Sequence, residues 1–214
     1  MDGRLYDSLF SKGYWREAAR QFSSVRMLAV CAMFIALRVA LSSLFIPVTE
    51  NLRIYFTFFV TALGATIYGP LMALAEGFIS DLLGYVLFPS GGFFPGYTLT
   101  AMLGSLFYAL FLYRRRLSVA RVFLCKLTIN VLVNILLGSL WSAVLYGKGY
   151  LYYVTKSVVK NTVLLPAEVL ILLLVLRTMN PLLVRLRLAP AQLEGGIPFL
   201  ARKREGRADD KREM

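Results

Sequence analysis

The sequence predicts an all-α integral membrane protein, built as a bundle of six transmembrane helices. Three observations lead to this fold class. The chain of 214 residues is 58% hydrophobic, whereas soluble domains average about 45–50% apolar residues. Its mean hydropathy is +0.65, and the apolar residues fall into runs of about 20, the length an α-helix needs to cross a bilayer. Most of the basic residues, which give a net charge of +12, lie outside these runs.

Three regions follow from this pattern. Residues 1–24 are polar and amphipathic, and they are predicted to form a cytoplasmic surface helix or arm, or equally a partly disordered tail. Residues 25–178 are predicted to form one membrane domain. Residues 179–214 are predicted to form a basic cytoplasmic tail.

The first span is predicted at residues 25–45. Ala32, Ala36 and Ala40 recur every four residues, so they share one helix face on which another helix can approach closely. This alanine strip predicts a contact with a partner chain, or else packing within the protein's own bundle. Arg38 lies on a different face, deep in the span, where a charge needs an ionic partner or water.

Five further spans follow because breaker signals divide the remaining apolar sequence. Gly69-Pro70 separates the second span from the third, since proline lacks an amide donor and glycine weakens a helix. The third span carries Glu76 and Asp81, which lie five residues apart and point in different directions, so catalysis or proton relay by this pair is not favoured. The five spans are predicted at residues 54–68, 71–87, 97–113, 122–145 and 157–176.

The most distinctive connection is the stretch LFPSGGFFPGYTLT at residues 87–100. It contains two prolines, three glycines and three phenylalanines, and it carries no charge. A loop solvated by water is rarely so aromatic, so the stretch is predicted to be a turn at one membrane face that closes over a flat ligand. The alternative is an ordinary turn whose aromatic side chains lie in the interfacial belt.

The basic residues predict the orientation, because cytoplasmic loops carry an excess of Lys and Arg. With the N-terminus in the cytoplasm, 18 of the 24 basic residues lie on the inner side, and both termini are cytoplasmic. The outer loops keep only Arg53, Lys148 and Lys156, with Lys160 nearby. This orientation in the membrane explains the net charge of +12 without a nucleic-acid partner. Three connections are then predicted to meet at the outer face: residues 46–54, 88–97 and 146–156.

Composition argues against an enzyme. The chain has no histidine, which removes the commonest general base and the usual ligand of haem and copper. Cys31 and Cys125 fall in apolar segments, so neither a disulfide framework nor a zinc site is expected. No P-loop pattern is present, so ATP-driven transport would require ATPases on other chains. No cofactor or metal is expected in this chain.

Polar and aromatic residues cluster at the predicted outer end of the spans. Buried amides and charges are costly in lipid and usually line a cavity. An aromatic clamp with amides and cations suits a flat heterocycle with an anionic tail, whereas the alternative is a structural network that only ties the helices together. The candidate substrate-binding residues are Arg53, Phe93, Phe94, Pro95, Gly96, Tyr97, Thr98, Asn130, Asn134, Trp141, Lys160, Asn161 and Glu168.

These residues resemble the substrate-binding S components of energy-coupling factor (ECF) vitamin transporters, and most of all their folate-specific branch. The resemblance extends over about residues 27–178, nearly the whole membrane domain. FFPGYTLT is the most specific part of the resemblance, whereas the alanine strip alone would be weak evidence for it. The matching stretches are AMFIA at 32–36, LRIYF at 52–56, and segments within 77–84, 88–100, 130–141 and 160–168.

The resemblance implies a six-helix bundle of the ECF S-component type, with folate or a related vitamin held under the outer loops. It implies a transmembrane coupling protein and two ATPase subunits as partners, with ATP and magnesium on the ATPases. The alanine strip would meet the coupling protein, and the whole subunit would topple in the bilayer to deliver its ligand. Two alternatives remain: an S component for another vitamin, thiamine-like or pantothenate-like, and a structural membrane protein without transport activity.

Overall fold

The computed structural model describes Leu5 and residues 12–49, 52–89, 92–188 and 197–199. Within these ranges, five helical stretches are long and apolar enough to cross a membrane, and one of them, Val119–Tyr146, is made of three consecutive segments. Helix α1 and a 3₁₀ turn precede them. In chain order the helices are α1 (Lys12–Arg20), α2 (Val25–Ser42), α3 (Phe58–Leu87), α4 (Pro95–Leu112), α5 (Val119–Thr128), a π-helical segment (Ile129–Leu137), α6 (Gly138–Tyr146) and α7 (Tyr150–Arg185).

Helix α3 contains both the second and the third predicted spans. Its helical geometry breaks at Gly69, where φ is 81° and ψ is −177°. Essentially only glycine adopts this conformation, and Pro70 follows it. A Cβ at Gly69 would also lie 2.9 Å from the ring of Tyr113. The kink divides α3 into two rods, so the five long helices amount to the six predicted spans, and the predicted fold class is confirmed.

In the link predicted at residues 46–54, the described residues form two antiparallel strands rather than a plain polar loop. Strand β1 (Phe45–Thr49) pairs with β2 (Leu52–Tyr55), with Phe45 opposite Tyr55. The register shifts between Pro47 and Thr49, as expected where proline removes a ladder donor. The first span therefore ends at Ser42, and the second begins at Phe58.

Helix α1 packs against the end of the bundle where α4 terminates. The fully buried Tyr14 meets the ring of Tyr113 edge-on at 5.5 Å and donates a hydrogen bond to the carbonyl oxygen of Ala109 at 3.4 Å. Burial raises the pKa of the Tyr14 phenol, so it remains a donor at any ordinary pH. An ion pair of 2.7 Å between Glu17 and Arg114 holds the polar side of the helix.

Two of the predicted outer connections, at residues 88–97 and 146–156, are shorter than predicted. Helix α4 begins at Pro95, so the end of the 87–100 stretch is its first turn, a position where proline is tolerated because its missing amide would be unpaired anyway. Helix α7 begins at Tyr150 instead of residue 157, after Gly147 ends α6 in the left-handed conformation. Both helices therefore extend further toward the same end of the bundle than the sequence indicated.

Candidate functional site

Aromatic side chains gather between the start of α4 and α6. The ring of Phe94 lies 5.8 Å from that of Tyr97 and 5.6 Å from that of Trp141, both in edge-on contact. Gly96 permits this approach, because a Cβ there would collide with the Phe94 ring and lie 2.7 Å from Trp141. We call Phe94, Gly96, Tyr97 and Trp141 the aromatic cluster. Pro95 is exposed at its edge.

Hydrogen bonds anchor this cluster to two helices. The indole Nε1 of Trp141 donates to Oγ1 of Thr100 on α4 at 3.0 Å. The buried Thr98 donates to Oδ2 of Asp81 at 2.6 Å, which ties α4 to α3, so Asp81 bridges helices. Phe93 lies outside the cluster, with its ring 5.3 Å from Tyr85.

Three asparagines form a second group, the amide cluster, between the π-helical segment and α7. Nδ2 of Asn134 donates to Oδ1 of Asn130 at 2.9 Å and to Oδ1 of Asn161 at 3.3 Å. Nδ2 of Asn161 donates to the carbonyl oxygen of Ser157 at 2.8 Å and to its hydroxyl at 3.1 Å. Asn130 and Asn161 are buried, whereas Asn134 is half-buried. π-Helical turns occur frequently at functional sites.

A buried ion pair lies next to the amide cluster. Nζ of Lys126 is 3.1 Å from Oε1 of Glu168, and Nδ2 of Asn130 donates to Oε2 of the same carboxylate at 3.3 Å. Glu168 was predicted from the sequence, whereas Lys126 was missed. The signal was present, because Lys126 is the only charge within the predicted span 122–145, and it lies four and eight residues before Asn130 and Asn134.

A second ion pair lies elsewhere in the bundle. Nη1 of Arg38 on α2 is 2.9 Å from both carboxylate oxygens of Glu76 on α3. Ser80 donates to Oε1 of Glu76 at 3.2 Å, and Ser105 on α4 donates to Oε2 at 2.9 Å. The prediction that Arg38 finds a partner is therefore correct.

Two predicted site residues, Arg53 and Lys160, belong to neither cluster. Arg53 is on β2, and its side chain is outside the part that the structure describes. Lys160 is half-buried on α7, next to Asn161 in the chain. The aromatic and amide clusters share one helical stretch, because Trp141 follows Asn134 by seven residues along the π-helical segment and α6.

The alanine strip faces away from the bundle. Ala32, Ala36 and Ala40 are all exposed, so packing within the protein's own bundle does not account for them. Ala32 also lines a shallow apolar cavity of about 210 Å³ between α2 and α3. Neither the aromatic nor the amide cluster lines this cavity.

These features define the class of the protein: a multi-pass membrane protein with polar clusters held inside the bundle. Residues 22–183 match the family model of the ECF-type riboflavin transporter S component. The chain therefore belongs to the S-component family of ECF transporters, and the resemblance seen in the sequence is confirmed. It is a membrane-embedded transporter subunit.

Relatives within this family carry folate in their names. The chain is 33% identical over 148 residues to the folate transporter FolT of Clostridium novyi (strain NT), covering 69% of this chain and 86% of that protein. It is 32% identical over 150 residues to FolT of Leuconostoc mesenteroides subsp. mesenteroides, covering 67% and 80%. It also resembles a crystal structure of FolT bound with folic acid, with a TM-score of 0.66, 32% identity, and coverage of 70% and 91%.

Proposed function

We propose that this chain captures folate at high affinity, for uptake driven by ATP hydrolysis on partner subunits. The observation that carries the proposal is the likeness to FolT bound with folic acid, at 32% identity over 91% of that chain. At this level the likeness extends beyond the fold to sequence, and two relatives named as folate transporters support the same ligand.

The proposed site lies beneath the 88–97 connection. The pterin ring of folate would pack against Phe94 and Trp141, and the half-buried side chain of Asn134 would hydrogen-bond to its polar edge. The glutamate tail would lie toward Arg53 and Lys160, because charge-assisted hydrogen bonds to a carboxylate are the stronger polar contacts.

The other predicted site residues have supporting roles in this proposal. Phe93, Pro95 and Tyr97 would cover the ring, and Gly96 lets the aromatic groups approach each other. The rest hold the pocket through the hydrogen bonds described above: Thr98, Asn130, Asn161 and Glu168.

A folate titration of purified, folded protein tests the site. We expect Phe94→Ala, Asn134→Ala and Lys160→Ala each to weaken binding by about ten- to a hundredfold, because each removes one partner of a desolvated contact. Gly104→Ala is the control, since a Cβ at Gly104 has open space around it. If all three variants bind as tightly as the parent, the pocket is elsewhere.

Riboflavin is the second candidate ligand, because the family model that matches residues 22–183 carries it in its description. Thermal shift with folate, riboflavin, thiamine and pantothenate distinguishes the candidates. A ligand at 100 times its dissociation constant stabilises the folded state by about 2.7 kcal/mol. A shift with riboflavin and none with folate would overturn the substrate and leave the class of protein intact.

The proposed partners are a transmembrane coupling protein and two ATPases, which hold the ATP and magnesium. The exposed alanine strip supports a helix contact there, because small residues let helices approach closely in membranes. Ala36→Trp should block assembly with the coupling protein and leave folate binding intact. Val163→Trp, at an exposed position on α7, is the control. Normal assembly of Ala36→Trp would remove the strip from the interface.

The proposed orientation has both termini in the cytoplasm, on the basis of the basic residues. Gly92 and Lys12 are both exposed and lie on opposite sides of the bilayer in this arrangement. In a chain whose Cys31 and Cys125 are replaced by alanine, an impermeant thiol reagent applied to intact cells should label Gly92→Cys and not Lys12→Cys. The reverse pattern would invert the topology.

A further inference from the structure

Lys126 is a cation that the proposed pocket does not use directly. Its side chain is 3% exposed, its Nζ lies 3.1 Å from Glu168, and the same Nζ lies 4.7 Å from the centre of the Phe58 ring. An ionisable group at membrane depth is costly and usually serves a function. Its contacts connect it to the amide cluster through Glu168.

We infer that Lys126 and Glu168 are a positioning pair that sets the direction of the hydrogen bonds in the amide cluster. As a result, Asn134 presents its carbonyl oxygen, and not its amino group, to the ligand. The pair would thereby select a heterocycle that offers an N–H donor. This inference rests on the proposed function, because it concerns how the same site reads the pterin end of folate.

The direction begins at Glu168. A carboxylate paired with an ammonium group only accepts hydrogen bonds. Asn130 must therefore turn its Nδ2 toward Oε2 of Glu168, and the same Nδ2 meets the backbone carbonyl of Asn161 at 3.4 Å, which is also an acceptor only. Its Oδ1 is then left to accept from Nδ2 of Asn134.

The other end of the cluster enforces the same direction. The backbone carbonyl of Ser157 requires Nδ2 of Asn161, so Oδ1 of Asn161 accepts the second hydrogen of Asn134 Nδ2. Both amide hydrogens of Asn134 are thus engaged. Its Oδ1 accepts no hydrogen bond from the residues that the structure describes, and the side chain is only half-buried. The group that Asn134 offers to a ligand is therefore an acceptor.

Pterin carries a ring N–H and an amino group, whereas the p-aminobenzoyl-glutamate part of folate lies away from this edge. We would titrate folate, 6-carboxypterin and p-aminobenzoyl-glutamate against the parent and Lys126→Met. We expect Lys126→Met to weaken folate and 6-carboxypterin by at least about tenfold, because Glu168 loses the ammonium group that holds its Oε1 and no longer fixes Nδ2 of Asn130 in place. Binding of p-aminobenzoyl-glutamate should be unchanged.

Two further variants separate positioning from folding. Lys126→Arg keeps the cation and should retain most of the affinity. Arg38→Met removes the cation of the other buried ion pair, which does not contact the amide cluster, and should leave binding by the folded protein unchanged. If Lys126→Met does not fold, the double variant Lys126→Met/Glu168→Gln takes its place, because it leaves no unpaired charge. Because Gln both donates and accepts, it no longer dictates the direction, so the same loss confined to pterin ligands is expected.

A double-mutant cycle tests whether Lys126 acts through Asn134. In an Asn134→Ala background, Lys126→Met should cost no further affinity. Equal losses in both backgrounds, or an equal loss for p-aminobenzoyl-glutamate, would overturn the inference. A parent that binds folate and a Lys126→Met variant that binds it equally would overturn the inference alone. A parent that ignores folate would overturn the proposed function, and the inference with it.

Discussion

The Arg38–Glu76 pair and the Lys126–Glu168 pair are both a carboxylate held beside a cation inside the bundle, with N–O distances of 2.9 and 3.1 Å. Their surroundings differ. Both oxygens of Glu76 are bound by Arg38 and by serine hydroxyls from α3 and α4. Glu168 gives one oxygen to Lys126 and the other to Asn130, from which the hydrogen bonds continue to Asn134.

The difference shows that the same ion-pair chemistry can serve two purposes in one fold. The Arg38 pair is closed by hydroxyl groups and joins three helices, so its removal should affect stability alone. The Lys126 pair is hydrogen-bonded to Asn130 and, through it, to the half-buried Asn134. Its removal should therefore affect the proposed ligand site as well. Arg38 also lies on α2, the helix whose other face carries the exposed alanine strip.

The largest effect is expected from Arg38→Met. Removing one partner of a buried pair leaves an uncompensated charge on Glu76, which costs about 3–5 kcal/mol. Thermal unfolding in detergent should show this loss, while the folded protein keeps its folate affinity. Arg38→Met/Glu76→Gln should recover most of the stability. A marked loss of folate affinity in the folded Arg38→Met protein would erase the distinction between the two pairs.

A smaller effect is expected from Gly96→Ala, which tests the aromatic side of the proposed site. The added methyl group would overlap Phe94 and approach Trp141, and overpacking of this kind costs about 1–3 kcal/mol. Displacing these rings should also weaken folate binding. Gly104→Ala on the same helix meets nothing within 4 Å and should leave both quantities near those of the parent. Equal behaviour of the two variants would show that the ring contacts are unimportant.

The smallest effects are expected from two serine substitutions, which distinguish the hydrogen bonds around Glu76 from those of the amide cluster. Ser105 donates to Glu76 at 2.9 Å, and Ser157 accepts from Asn161 at 3.1 Å. Ser105→Ala and Ser157→Ala should each cost about 1 kcal/mol of stability, the typical net value of one hydrogen bond. Only Ser157→Ala should also change folate affinity, measured by titration. A change in both variants would mean that the networks are coupled.

Much of the candidate site was predictable from residue types. The charge-free FFPGYTLT stretch was identified because a solvated loop is rarely so aromatic, and the asparagines of the fifth span because amides are costly at membrane depth. Lys126 was missed although its spacing from Asn130 and Asn134 was visible. The role of Glu168 was not predictable, because its partner Lys126 lies 42 positions earlier in the chain, and the assignment of the site residues to folate remains a prediction.

The sequence by itself determined the membrane class, the number of spans and the family, because hydrophobic length, breaker residues and local motifs are properties of short stretches. It also placed a break at Gly69-Pro70, which the structure realises as the kink in α3. Only the tertiary structure decided which charges pair, that the alanine strip faces outward, and which way the amides point. These depend on distances between residues far apart in the chain, such as Arg38 and Glu76 or Asn134 and Asn161, which only the packing of the helices sets.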